Sequence, residues 1–277
     1  MKKKENLDID VINNFGKEWK SYSQNDLPED QHVSQFNNYF EIFPWERISK
    51  DSIGFDAGCG SGRWALLIAP KVKTLHCIDP SIAIDVAKKN LKKLNNCIFH
   101  QLTISNLPFE DGSMDFGYSL GVLHHIPDSQ KALQDCAKKL KSGSPFLLYL
   151  YYSFDNQPFW YRWIWKLSDY ARKYIWRLPH KLKLRVCWLI SFFVYWPLAR
   201  IAKIVELVGG SIHSWPLSAY RNQSFYFMKT DALDRFGTKL EQRFTKAEVE
   251  NMMLSAGLDD IKFSTHAPFY CAVGVKK

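Results

Sequence analysis

The sequence predicts an α/β protein built on a parallel sheet, and three observations carry that expectation. Short apolar runs alternate with helical patterns from Ile53 to about Leu150, the signature of βαβ units. The first run leads straight into Gly58-Cys59-Gly60-Ser61-Gly62, and the chain closes with a capped helix and two further strand-like runs. With 277 residues, 46% of them apolar and 23% charged, the chain can bury a large core in one domain or in one domain with an embellishment. A disordered or collagen-like polymer is excluded.

The first strand, Ile53 to Asp56, runs into the glycines, and Arg63 to Ala69 follows as the first helix. Thr74 to Ile78 reads as the second strand and ends at Asp79. Beyond Pro80, Ser81 caps a helix with Ala83, Val86, Ala87, Leu91 and Leu94 on one face. Cys97 to Gln101 and Met114 to Ser119 are the next strands. Asp128 then caps a helix carrying Leu133, Cys136, Ala137 and Leu140, and Gly143 stops it. Ser144 to Tyr152 is a strongly apolar fifth strand. Near the end, Thr245-Lys246-Ala247-Glu248 is a capping box for a helix with Val249, Met252, Met253 and Ala256, closed by Gly257. Asp260 to Thr265 and Phe269 to Val275 have no helix between them and should pair as an antiparallel hairpin. The rhythm breaks only between Tyr152 and about Arg243, in helical patterns broken by Pro158, Pro179, Pro197 and Pro216.

Charge is unevenly spread. The chain has 37 Lys and Arg against 28 acids, but residues 160 to 203 hold ten of the bases and one acid, Asp169, so the remainder balances at 27 against 27. One basic segment on a neutral body argues against a surface coated for non-specific nucleic-acid binding. The six cysteines form no CxxC pair and have no His spacing suited to zinc, and read as reduced core residues of a cytoplasmic protein. The start, MKKKENLDID, has no apolar stretch behind its lysines, so no secretory signal is expected. The longest uncharged run, fourteen residues between Arg185 and Arg200, is interrupted by Pro197, and a bilayer needs about 20, so no transmembrane helix is expected.

The glycine-rich loop places residues without side chains where a ligand approaches backbone closely, with helix amides facing it. It also contains a dinucleotide match, Gly60-x-Gly62-x-x-Ala65, which keeps an NAD-dependent oxidoreductase open. Asp56, two residues before the first glycine, would repel a pyrophosphate but favour a cationic ligand such as the methionine part of S-adenosylmethionine. Asp79, at the end of the second strand, suits ribose hydroxyls of either cofactor.

The stretches FDAGCGSG (Phe55 to Gly62), HCIDPS (His76 to Ser81) and LPFEDGSMDFGYSLGVLHHIPD (Leu107 to Asp128) resemble class I S-adenosylmethionine-dependent methyltransferases of the group that includes the ubiquinone and menaquinone biosynthesis enzymes. The resemblance covers Ile53 to Leu150, with a similar capped helix and hairpin at the end. It implies a Rossmann-like seven-stranded, mostly parallel sheet with an antiparallel last strand, and the cofactor S-adenosylmethionine over the carboxyl ends of the first strands. By the same resemblance Gly58 and Gly60 would line the methionine moiety, Asp79 would hold the ribose, Thr103 and Ile104 would border the adenine, and Ser119 and Leu120 would lie near the sulfonium. Many relatives carry an acid and Ala where this chain has Thr103-Ile104, so the Thr103 hydroxyl would replace a carboxylate at the adenine amino group.

Methyl transfer is an in-line displacement that depends on positioning, and an alcohol nucleophile benefits from a base. His124 and His125, just beyond the fourth strand, are the candidates for that base, or else they cap the loop. Arg63 opens the first helix within reach of the cofactor carboxylate. An aromatic arm, with Trp19 and Tyr22 and then Phe36 to Trp45, either folds over the cofactor or anchors a terminal helix. Residues 153 to 243 hold seven of the ten Trp and fall where the resemblance places acceptor-binding insertions. Their aromatic and basic content suits a lid over a ring-bearing or lipid-linked acceptor, an interfacial membrane surface, or a homodimer contact. Tyr151, Tyr152, Tyr220 and Arg221 are candidate acceptor contacts, and the polar stretch Asp231 to Arg243 could return to the cleft.

The expected organisation is an arm (1–50), a cofactor-binding core (51–152), a helical lid (153–243) and a closing helix and hairpin (244–277). The expected reaction is methyl transfer to a hydroxyl, less readily to nitrogen or carbon, of a small or amphiphilic metabolite. No metal is required, and nucleic acid is not the expected acceptor. Two alternatives remain: an NAD-dependent oxidoreductase, and a non-catalytic S-adenosylmethionine-binding scaffold.

Overall fold

Helices α1 (Ile9–Ser21) and α2 (Glu29–Phe40) lead into β1 (Ile53–Ala57), α3 (Ala65–Ile68), β2 (Thr74–Ile78), α4 (Ala83–Asn90), β3 (Cys97–His100), β4 (Phe116–Leu120), α5 (Ser129–Ala137) and β5 (Pro145–Tyr149). Four helices follow, α6 (Phe159–Ile175), α7 (His180–Ile190), α8 (Trp196–Leu207) and α9 (Phe225–Gly237). The chain then closes with α10 (Lys246–Ser255), β6 (Leu258–Phe263) and β7 (Cys271–Lys276). These come from a computed structural model that describes residues 6–22, 28–155 and 157–277. Part of the expected arm and of the basic start, residues 1–5 and 23–27, lies outside them. The chain divides into two units. One comprises α1, Val33–Tyr152 and Gln242–Lys277; the other comprises Ser153–Glu241 and the residues from Pro28 to His32.

In the first unit the seven strands form one sheet in the order β3-β2-β1-β4-β5-β7-β6. Strands β1 to β5 run parallel, and β7 is antiparallel to both β5 and β6. Both faces are apolar, as a parallel sheet covered by helices requires. Phe116, Tyr118 and Leu147 pack on one side with Trp64, Ile68 and Phe40, and Phe55, Phe146 and Leu148 on the other with Leu123, Leu133 and Met253. Local chemistry sets the boundaries. Asp128 accepts from Lys131 N at 2.8 Å to start α5, Ser81 Oγ accepts from Ala83 N at 3.1 Å ahead of α4, and Thr245 and Glu248 form a reciprocal capping box on α10. All six cysteines are free.

The first helix is shorter than its expected span from Arg63 to Ala69. It is a single turn, Ala65–Ile68, and passes into a 3-10 turn at Ala69–Lys71 around Pro70, where proline supplies no amide.

The second unit corrects one expectation. Pro197 does not break the helical pattern: α7 and α8 are joined through a π turn at Ser191–Tyr195, in which Trp196 N–H donates to Ser191 O. This wider turn sits just where proline would disrupt ordinary α-helical bonding. The buried residues Cys187, Ser191, Tyr195 and Ala199 recur every fourth residue, a spacing that drifts around an ordinary α-helix and that one wide turn realigns. The stripe faces α9: Ser191 Oγ donates to Met228 O at 3.4 Å and Tyr195 OH to Asp231 Oδ2 at 3.1 Å. As a result His180–Leu207 is one 28-residue helix, long and apolar enough by length and composition to cross a membrane. The fourteen-residue count had missed this because it stopped at charged residues.

Candidate cofactor site

The site forms at the carboxyl ends of β1 and β2. Parallel register sets Asp56 opposite Cys77 on β2 and Tyr118 on β4, one residue before the strand gives way to the loop. Asp56 is 1% exposed, and its Oδ2 has no hydrogen-bond partner. Burial pushes its carboxyl up to about 8, with the nearby Asp79 adding to the rise and the Tyr118 hydroxyl and Arg63 working against it.

The loop is held by its own amides. Gly58 N and Cys59 N donate to Ile78 O at 2.8 and 2.9 Å, Gly62 N donates to Cys59 O at 2.8 Å, and Gly60 N donates to Asp79 Oδ2 at 3.0 Å. The sequence reading had helix amides facing a ligand; α3 is only one turn long, and these four loop amides are spent within the protein. What the glycines supply is a left-handed backbone and close packing: Gly58 has φ +90° and Gly60 φ +52°. A Cβ on Gly58 would sit 2.5 Å from Val122, and one on Gly60 would sit 3.0 Å from the Trp19 indole.

Asp79 is the second anchor. Its Oδ1 accepts from Ser81 N at 2.9 Å and Ser81 Oγ at 2.6 Å, while Oδ2 takes the Gly60 amide. Burial raises its pKa, and those hydrogen bonds lower it. Oδ1 is filled by its two bonds, while Oδ2 keeps a second lone pair, which leaves acceptor capacity for a ligand hydroxyl. Thr103, before the 3-10 turn Ile104–Asn106, has a buried Oγ1 with no partner, as does Ser61 Oγ in the loop. Ile104 is buried beside it. Arg63 lies with its guanidinium 4.2 Å from the Trp64 ring centroid and 6.0 Å from that of Trp19. Trp19, on α1, therefore meets the loop. Ser119 Oγ donates to Ala57 O at 2.8 Å, tying β4 to β1, and Leu120 ends β4.

The histidines form a second cluster. His124 is fully buried in the 3-10 turn Leu123–His125, its ring 3.9 Å from that of Tyr151 and 4.0 Å from that of His125. Phe15 of α1 lies 4.8 Å from His125. Three groups that the sequence reading did not single out complete this region. Arg243 packs over Tyr151 at 5.2 Å and donates to Tyr152 O at 3.1 Å; Gln242 N donates to His124 O at 3.0 Å, and its side chain donates to Ile126 O at 2.7 Å. Tyr118 stands beside Asp56. The polar stretch ending at Arg243 was the one available signal for the first two. Tyr152 packs near Phe269 and Tyr270.

Tyr220 and Arg221 belong to the helical unit, whereas Tyr151 and Tyr152 belong to the sheet unit. Tyr220 OH accepts from Arg235 at 3.1 Å, and Arg221 makes a two-pronged ion pair with Glu206 at 2.7 and 2.9 Å.

Residues 55–148 match the family model described as a methyltransferase domain. An uncharacterized methyltransferase of Bacillus subtilis, YcgJ, is 33% identical over 103 residues, covering 35% of this chain and 40% of that protein. A tRNA U34 carboxymethyltransferase of Nautilia profundicola is 26% identical over 149 residues, covering 51% and 48%. The chain thus spans less than half the length of these curated relatives. The crystal structure of a candidate methyltransferase from Bacillus halodurans superposes with a TM-score of 0.52 at 13% identity, over 83% of this chain and 70% of that one, a likeness of fold. The chain carries a class I S-adenosylmethionine-dependent methyltransferase domain.

The residues present fit that cofactor. Asp56 Oδ2 near the end of β1, Ser61 Oγ in the loop after it and Thr103 Oγ1 beyond the end of β3 are buried polar atoms without partners, and native interiors rarely leave such atoms unpaired. Asp56 suits a cation and Asp79 a diol. Among the described residues no group of His, Cys, Asp and Glu could hold a metal ion.

Proposed function

We propose that the protein is an S-adenosylmethionine-dependent methyltransferase acting on a hydroxyl of a small or amphiphilic metabolite. The observation that carries the cofactor half is the pair of buried carboxylates at adjacent strand ends, Asp56 with an unpartnered oxygen and Asp79 bonded to the glycine loop. The spent amides of Gly58, Cys59, Gly60 and Gly62 weigh against the dinucleotide alternative, because a pyrophosphate needs such donors. When bound, the cofactor supplies an electrophilic methyl on a positively charged sulfur. Asp56 would balance the positive methionine part, Asp79 would accept ribose hydroxyls, Thr103 and Ile104 would border the adenine, and Gly58, Gly60, Ser119 and Leu120 would line the remainder. Arg63 would pair with the cofactor carboxylate.

A hydroxyl nucleophile must lose its proton. His124 and His125 are the candidate acceptors, with Tyr151 and Tyr152 as candidate acceptor contacts. Tyr220 and Arg221 stay candidates for acceptor selection by residues 153–243. A lipid-linked acceptor, such as a quinone precursor, would bring those residues to the inner face of the cytoplasmic membrane.

Calorimetry with S-adenosylmethionine against NADH is the first test, followed by a labelled-methyl screen over phenols, quinone precursors, sugars, lipid-linked acceptors and tRNA. Cofactor binding with methyl transfer to a hydroxyl compound is the expected result. Binding of NADH alone would make the chain an oxidoreductase, and S-adenosylmethionine affinity without turnover on any acceptor would make it a scaffold.

A further inference from the structure

The helical unit exposes apolar area that its interior does not use. On α6, Trp160, Trp163, Leu167, Tyr170 and Tyr174 are exposed at alternating three- and four-residue steps, a single helix face. The helix His180–Leu207 turns its stripe of Cys187, Ser191, Tyr195 and Ala199 toward α9 and leaves Trp188, Leu189, Phe192, Phe193, Val194 and Trp196 exposed. Trp188, Phe192 and Trp196 form a stacked ladder, with ring planes 6° and 8° apart at successive steps. Exposed bases border these faces: Lys166, Lys173, Arg177, Lys181, Arg185 and Lys203. Lys166 lies 5.0 Å over Trp163. The one acid between residues 160 and 203, Asp169, is held by Arg172 at 2.5 Å.

We propose that this surface docks on an anionic lipid bilayer, with α6 and the His180–Leu207 helix lying in the plane of the headgroups. Trp and Tyr beside Lys and Arg, on faces otherwise filled by Leu, Ile, Val and Phe, match the boundary between headgroup and acyl chain. The bases answer negative headgroups, and the two acids of these helices, Asp169 and Glu206, are paired with Arg172 and Arg221. Crossing is disfavoured twice over. The uncharged run of fourteen residues is about 21 Å long, against about 30 Å of hydrocarbon. The opposite side of the same helix bonds to α9, whose Lys229, Asp231, Asp234 and Arg235 would be carried into the bilayer. A second copy of the chain would set this basic face against another like it. A nucleic acid would use stacking rings and bases but would gain nothing from Leu167, Leu189, Phe193 and Val194 packed among them.

The inference goes beyond methyl transfer and stands on the helical unit alone. The test is flotation of the full chain with phosphatidylcholine vesicles, with and without phosphatidylglycerol, alongside calorimetry with S-adenosylmethionine. We expect flotation only with the anionic vesicles, release by alkaline carbonate, and at least about tenfold weaker flotation for the doubly substituted Trp163→Ser, Phe193→Ser chain. Both residues are exposed, and an unchanged helical content by circular dichroism in that variant verifies its fold. Several results would overturn the proposal: no flotation with either vesicle, resistance to carbonate extraction, flotation unaffected by the substitutions, or a dimer in light scattering that the same substitutions dissociate. Flotation without cofactor binding would leave the docking surface standing and remove the methyltransferase reading.

Discussion

At the scale of single residues, the site is governed by two carboxylates in different states of satisfaction. Asp79 is held by Gly60 and Ser81 and keeps acceptor capacity on Oδ2, so Asp79→Ala removes a ribose acceptor and also releases the loop. Cofactor affinity should fall by about 1–3 kcal/mol, about five- to 150-fold, in calorimetry, with a lower melting temperature. Asp56 differs, because burial holds its carboxyl near 8 and largely protonated at neutral pH in the free protein. A bound cation favours the ionised form, so binding releases a proton. Affinity for S-adenosylmethionine should therefore rise with pH, by up to about tenfold per unit, and level off above about 8. Calorimetry in buffers of different ionisation enthalpy measures the proton release directly, and Asp56→Asn should abolish it. Asp56, Asp79 and the glycines were legible in the sequence because a strand end and the turn after it are local. The cover that Arg243 provides for Tyr151 was not, since 92 positions of chain separate them and no local pattern records the return.

At the scale of elements, strand pairing and capping carry the testable consequences. Register places His76 on β2 opposite Ile98 on β3, and its ring stacks on that of His100, with Nδ1 and Nε2 2.9 Å apart. Burial and the neighbouring imidazole push His76 down to about 4, below the ordinary value of 6.5. The unfolded chain thus binds a proton that the folded chain resists, and the contribution, whole above about pH 6.5, is lost as pH falls toward 4. Urea midpoints should drop over that window, and less steeply in His76→Phe. Thr245 caps α10 through Glu248 N, with the Glu248 side chain reaching back, so Thr245→Ala should cost about 1 kcal/mol in urea denaturation. Capping boxes and the antiparallel hairpin were readable because each is a short-range rule. The passage of one helix through Pro197 was not, because a π turn is chosen by which face packs on α9 and not by the prolines themselves.

At the scale of the whole molecule, the charge asymmetry is concentrated in one stretch of the helical unit, residues 160 to 203, with ten Lys and Arg against one acid. Raising salt should therefore abolish vesicle flotation while leaving S-adenosylmethionine affinity nearly unchanged, because exposed charges are screened and buried carboxylates are not. The sequence by itself determined the βα alternation, the closing hairpin, the glycine loop between two acids and the place where the βα rhythm stops, all of which rest on periodicity and neighbouring residues. Only the tertiary structure decided that the loop amides are spent within the protein, that Asp56 keeps an unpartnered oxygen, and that a continuous helix turns its aromatic face outward. Each depends on what distant segments bring to the same point, and pairing between distant segments is not written in local order.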